Sequence, residues 1–211
     1  CIDRQALNDE VSLGLSVIPE SYVSPDHPLY AEDDLTERTY APQSGRVLLD
    51  ELGWRDIDGD GVREAQDVEG IPDGQRFDVT LLTVADSEVD DEVARMLRAQ
   101  LADCGVRVTI DAIPRWDLFA EGPEGPLSGR RFDMALATWW LEDRPPCDRY
   151  LSSEVPEADN WAGGNVSGYV NPDYDLVCRS ALQALPGSAG YGRHHREAQV
   201  IFSNALPALP L

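Results

Sequence analysis

Twelve consecutive residues, Asp56 to Asp67, carry the densest chemistry in the sequence. They read Asp56-Ile57-Asp58-Gly59-Asp60-Gly61-Val62-Arg63-Glu64-Ala65-Gln66-Asp67. Counted as a twelve-position loop, oxygen donors fall at positions 1, 3, 5, 9 and 12, and glycine falls at position 6. That is the spacing of an EF-hand calcium loop, in which position 7 (Val62) offers its backbone carbonyl. The candidate ligands for calcium are therefore Asp56, Asp58, Asp60, Val62, Glu64 and Asp67, holding the ion as a structural clip. Two features depart from the pattern. Position 12 is aspartate, a shorter arm than glutamate, and the flanks do not read as a long helix on each side. The competing reading is an acidic turn whose aspartates cap their own backbone.

The second stretch with chemical content is Ala137-Thr138-Trp139-Trp140-Leu141-Glu142-Asp143-Arg144-Pro145-Pro146. An apolar strand ends there in two tryptophans, two carboxylates and an arginine. Ligands of open α/β sheets gather at the carboxyl ends of strands. Tryptophan supplies a flat apolar wall, and a carboxylate supplies a partner for an amine. Trp139, Trp140, Glu142 and Arg144 are the candidate ligand-binding residues, with one tryptophan expected in the core. Enzymatic constellations are sparse. The histidines are His27, His194 and His195. The adjacent pair lies about 100° apart on a helix, which suits surface or satisfied positions better than a shared metal. No nucleophile elbow, H-E-x-x-H or phosphate loop occurs, so no catalytic residue is assigned.

The elements that must position these residues alternate between strand and helix. Residues 77–84 read as a strand with one buried end. Ser87 opens a helix over 88–104 that Gly105 stops, and Val106, Val108 and Ile110 restart a strand. This is a βαβ unit with a locally parallel pair. Residues 132–139 form a third strand, apolar on both faces towards its end and therefore expected at the sheet centre. Shorter helices are expected from Ser44 to Leu52, from Asn171-Pro172 to about Leu185, and from about Ala189 to Leu206. Residues 16–43 and 120–130 read as loops. The class is α/β, a mixed sheet flanked by helices, in one unit spanning 1–211.

The chain has 211 residues with 17 basic and 39 acidic side chains, a formal net charge of −22, and every basic residue is arginine. Such acidity excludes nucleic acid and anionic membrane surfaces as partners. No run approaches 18 apolar residues, so no membrane span is expected. Four cysteines, Cys1, Cys104, Cys147 and Cys178, include no C-x-x-C pair. They are either four buried thiols or two disulfides of an exported protein. Three connectivities are open. Cys147 with Cys178 is a sterically easy staple, which leaves Cys1 with Cys104.

Several segments, taken in order, resemble the family 5 extracellular solute-binding proteins of ABC importers. They are Ile2-Asp3-Arg4-Gln5-Ala6-Leu7, Ala41-Pro42 with Arg46 to Trp54, and Asp58-Gly59-Asp60-Gly61-Val62-Arg63-Glu64. Gln100-Leu101 with Gly105 to Val108, Arg131 to Trp139, Gly168 to Asp175 and the closing Pro207 to Leu211 complete the series. The resemblance implies the C-terminal lobe of a two-lobed, type II periplasmic-binding-protein-like fold, with the N-terminal lobe absent from this chain. It further implies an extracellular or periplasmic protein, anchored as a lipoprotein, that needs no cofactor. Its partners would be a solute such as an oligopeptide, the permease subunits and the other lobe. In oligopeptide-binding relatives an aspartate behind the tryptophan-bearing strand end holds the peptide amino group. Glu142 stands at the similar position, and Pro145-Pro146-Cys147 follows it. Two other classes compete: a secreted calcium-stabilised hydrolase fragment, and an interaction module without a small ligand.

Overall fold

The computed structural model describes residues 1–138 and 143–211. The order is α1 (Arg4–Val11), α2 (Pro42–Glu51), β1 (Trp54–Arg55), β2 (Glu64–Ala65), β3 (Asp78–Val84), α3 (Glu88–Ala102), β4 (Arg107–Ile113), α4 (Arg115–Leu118), β5 (Met134–Ala135), α5 (Pro172–Gln183) and α6 (Ala189–Ala205). The chain gathers into two compact units. The first comprises Cys1–Gly14, Thr39–Arg115 and Phe132–Ala137, and the second Leu15–Arg38, Trp116–Arg131 and Thr138–Leu211.

In the first unit, β3 lies between β4 and β5 and pairs in parallel with both. The register runs from Asp78 opposite Arg107 to Val84 opposite Ile113, and Leu81 faces Met134 on the other side. The three described strands of this sheet are all parallel, and antiparallel pairing among the described residues occurs in a separate ribbon of β1 and β2 and at an isolated bridge between Glu64 and Arg76. The expected central strand therefore changes. β3 holds the centre, while the described part of the third strand shortens to Met134–Ala135, both half-buried. β3 has one buried end, as its early alternation followed by apolar residues predicts, with burial running from Leu81 to Val84. Asp133 keeps the short strand in place, its Oδ2 accepting from the Thr80 amide at 2.8 Å one residue before the pairing begins.

Helix α3 connects β3 to β4 and starts where expected. The Ser87 hydroxyl accepts from the Asp90 amide at 3.3 Å, satisfying one orphan donor of the first turn. Its apolar stripe, Val93, Ala94 and Leu97, packs with Leu7, Leu81, Val106 and Val108. Burying such side chains contributes about 1.5–3 kcal/mol each relative to exposure. Gly105 then turns the chain at φ +82°, a left-handed conformation that suits glycine. A disulfide joins Cys1 to Cys104, tying the residue ahead of α1 to the turn after α3.

The second unit is built on α5 and α6. Asn171 caps α5 by accepting from the Asp173 and Tyr174 amides, with Pro172 in the first turn. Tyr22, Val23, Leu151, Tyr174, Ala181, Ala198 and Phe202 form the core, with the Phe202 ring edge-on to Tyr22 and Tyr150. A second disulfide, Cys147 to Cys178, is fully buried in that core. The first stretch read as loop is anchored rather than loose. Gln199 of α6 accepts from the Ser21 hydroxyl and the Ala31 amide and donates to the Leu29 carbonyl. Ser203, one turn on, accepts from the Thr36 amide at 2.9 Å. Among the described residues, no helix is long and apolar enough to cross a membrane.

Candidate functional site

The carboxylate loop joins β1 to β2. Asp56 accepts from the Gly59 and Gly61 amides, Asp58 from the Asp60 amide, and Asp60 from the Val62 amide. These are the self-capping turns that Asp residues make with their own backbone. They also fold the loop back sharply, so that carboxylate oxygens of Asp56, Asp58 and Glu64 lie within 4.8 Å of one another. The other two acids behave differently. Asp60 takes the Arg76 guanidinium at 2.7 Å. Its carboxyl is held below the ordinary carboxylate range by the Val62 amide first and by Arg76 second. Asp67 sits at φ +59°, and its amide donates to the Asp73 carboxylate. Three of the six residues read from the sequence thus form one cluster, and Asp60 and Asp67 lie outside it.

The two residues after the loop's valine organise it, and only one of them stood out in the sequence as a candidate. Arg63 is 7% exposed. Its Nε donates to the Cys104 carbonyl at 2.7 Å, Nη1 reaches the Trp54 carbonyl at 2.5 Å and pairs with Asp50, and Nη2 donates to the Arg46 carbonyl. One guanidinium therefore closes backbone groups of α2, β1 and the turn after α3. Glu64, the ninth position of the calcium-loop pattern, is equally buried, and its Oε2 accepts from the Ile57 amide at 2.9 Å. The one signal that could have found Arg63 is its charge, a basic residue inside an acidic loop.

At the strand end, Trp139, Trp140 and Glu142 lie outside the described residues. Arg144 is described, and its Nη2 donates to Asp148, four residues on, at 2.7 Å. Both side chains are partly exposed, which makes this a surface pair of small energetic weight.

The adjacent histidines separate sharply. His194 Nδ1 lies 3.0 Å from a Glu197 carboxylate oxygen. His195 is completely buried, edge-on to the Tyr191 ring, and among the described residues neither of its ring nitrogens has a hydrogen-bond partner. It is therefore neither a surface position nor a satisfied one. Its pKa is lowered to about 4, first by burial and then by Arg144 and His27, with a smaller contribution from His194 and with Asp148 opposing. A neutral imidazole in the fold against a pKa near 6.5 in the unfolded chain sets the sign. Stability is full above pH 6.5 and falls as pH drops towards 4, because the unfolded state takes up the proton first. Between pH 6.5 and 5.5 the loss is expected to be about 1 kcal/mol, measured by urea unfolding. In His195→Leu the slope over that interval should flatten, and an equally steep slope in the variant would assign it to other groups.

Comparison with known proteins relates the chain to one family. The profile of the bacterial extracellular solute-binding proteins, family 5 Middle, matches residues 1–159. The oligopeptide-binding protein AppA of Bacillus subtilis (strain 168) is 27% identical over 184 residues, covering 85% of this chain and 31% of that protein. Its crystal structure with a nonapeptide superposes with a TM-score of 0.81 at 22% identity, over 98% of this chain and 38% of that one. The oligopeptide-binding protein of Thermus thermophilus, complexed with a pentapeptide, gives a TM-score of 0.84 at 21% identity, over 99% and 35% of the two chains. The nickel-binding periplasmic protein of Escherichia coli (strain K12) is 23% identical over 155 residues, 74% of this chain and 27% of that protein. The chain thus spans about a third or less of the length of the curated relatives it matches, 31% and 27% in these two cases. The mixed α/β architecture is part of the oligopeptide-binding protein fold. The matched family consists of extracellular, non-enzymatic solute-binding proteins without a required cofactor, which removes the hydrolase reading. With three quarters of its length matched, the chain belongs to the bacterial extracellular solute-binding proteins of family 5.

Proposed function

We propose that residues 1–211 serve as the C-terminal lobe of a solute receptor that feeds an ABC importer. The match of residues 1–159 to the family carries this reading. Capture would proceed by hinge closure of this lobe on a second one, burying the solute and shielding it from water. The closed receptor would then hand the solute to the permease, with a lipid anchor holding it at the membrane. A peptide is the favoured solute, because AppA and the Thermus protein are both oligopeptide-binding proteins. In this reading Trp139 or Trp140 forms the apolar wall and Glu142 holds the peptide amino group, with Arg144 as a further candidate contact. No cofactor takes part in capture, and calcium would act only as a structural clip in the carboxylate loop.

The test uses the receptor with both lobes present. Calorimetry with peptides of graded length should find saturable binding, and Glu142→Ala should weaken it about tenfold or more, the scale of a lost charge-assisted hydrogen bond. An affinity that is unchanged for every ligand found would remove Glu142 from the site. A receptor that ignores peptides and takes up a metal chelate would reassign the solute.

A further inference from the structure

We propose that Asp56, Asp58 and Glu64 hold a calcium ion, a three-carboxylate site that omits two acids of the twelve-position loop pattern. The geometry admits one ion. Oxygens bound to calcium at 2.3–2.6 Å can lie up to about 5 Å apart across it, and these three carboxylates fall within 4.8 Å of one another.

A second observation, separate from the clustering, points to a cation. Glu64 is only 7% exposed, and its Oε1 is buried with no hydrogen-bond partner among the described residues, although Oε2 is satisfied by the Ile57 amide. A buried carboxylate oxygen left unpaired is costly, and such groups are normally paired or bound to metal. The nearby guanidinium of Arg76 does not fill that role. It bonds Asp60, and no ion pair joins it to Glu64 among the described residues. The loop's charge is consistent with an ion. Arg76 pairs directly with Asp60 and acts on Asp58 only through space, which leaves the Asp56, Asp58 and Glu64 carboxylates without an ion pair among the described residues.

The donor set selects the metal. It is all oxygen, with no histidine or cysteine, so it suits hard cations. Asp56 and Asp58 are exposed, which leaves solvent to complete the six to eight ligands that calcium accepts. Magnesium demands near-ideal octahedral geometry and gives up water reluctantly, so it fits less well. Few protein ligands and an open face place the affinity in the weak range of extracellular calcium modules, about 10⁻⁴–10⁻³ M. The ion would pin the loop between β1 and β2 and would take no part in solute contact.

The test is calcium titration of the purified, chelator-treated protein, read by calorimetry and by thermal unfolding. Calcium should bind saturably and raise the midpoint, with magnesium giving a smaller shift at equal concentration. Asp58→Asn should weaken binding about tenfold or more while the fold survives, because an asparagine oxygen can still accept from the Asp60 amide. Glu64→Gln should do the same. If that buried variant fails to fold, Asp58→Asn decides alone. Asp67→Asn should leave the affinity unchanged. Absence of saturable binding, wild-type affinity in Asp58→Asn, or equal weakening by Asp67→Asn would each overturn the proposed ligand set. Solute binding is not part of the readout, so failure here leaves the receptor reading intact.

Discussion

Replacing Cys1 and Cys104 together by alanine is expected to lower the unfolding free energy by about 4–5 kcal/mol, against about 3–4 for the Cys147/Cys178 pair. The order follows from loop closure. The first bond spans a sequence separation of 103 residues and the second 31. The entropy removed from the unfolded chain grows only logarithmically with that length, so the gap between them is modest. The first bond has a packing role besides. A Cβ placed on Gly45 would stand 2.7 Å from Cys1 Sγ, so α2 rests directly against the sulfur. Urea unfolding of each variant, with reduced wild type as a third sample, measures both effects. Losses below about 1 kcal/mol for the longer loop would mean that the unfolded chain already holds those ends together. Both bonds suit the oxidising surroundings of an extracellular family.

The elements most legible in the sequence are those whose signals are local. Ser87, Gly105 and the Asn171-Pro172 pair mark helix ends by their own backbone chemistry, and α3, α5 and α6 lie within two residues of the expected spans. What escapes are arrangements set by distant residues. The first-stretch loop is tied down by Gln199 and Ser203, more than 160 residues away, and no local pattern announces that. Strand order is a similar case, because alternation in β3 records burial along the strand rather than the presence of neighbours on both sides. In the acidic loop, the alternate spacing of Asp56 and Asp58 is legible directly. The burial of Glu64 and the removal of Asp60 by Arg76 depend on a bridge between β2 and Arg76, outside the twelve-residue window. Of the proposed solute site, residue types and order are what the sequence supplies.

Arg63 gives the second large effect, because one buried guanidinium serves several backbone carbonyls at once. Arg63→Met keeps most of the side-chain volume but removes the donors that satisfy the Cys104, Trp54 and Arg46 carbonyls. The Arg46 carbonyl, inside α2, keeps its helical partner, so the loss falls on the Cys104 and Trp54 carbonyls, at about 1 kcal/mol or more each and about 2–3 kcal/mol in all. The Asp50 pair adds little, since that carboxylate is 54% exposed and water replaces its partner. Arg63→Lys should recover part of the loss at most. An ammonium offers one point of donation where a planar fork reaches several carbonyls at once. The location of the arginine also predicts a coupling. A Cβ on Gly105 would meet the Arg63 Cγ at 2.7 Å while straining a backbone at φ +82°. Gly105→Ala should therefore be destabilising alone, and shortening the arginine as well should relieve its steric part. In a double-mutant cycle of Gly105→Ala with Arg63→Ala, the combined loss should fall short of the sum by about 0.5 kcal/mol or more. Strict additivity would mean that the turn's cost is all backbone strain and that the guanidinium stem does not press on it.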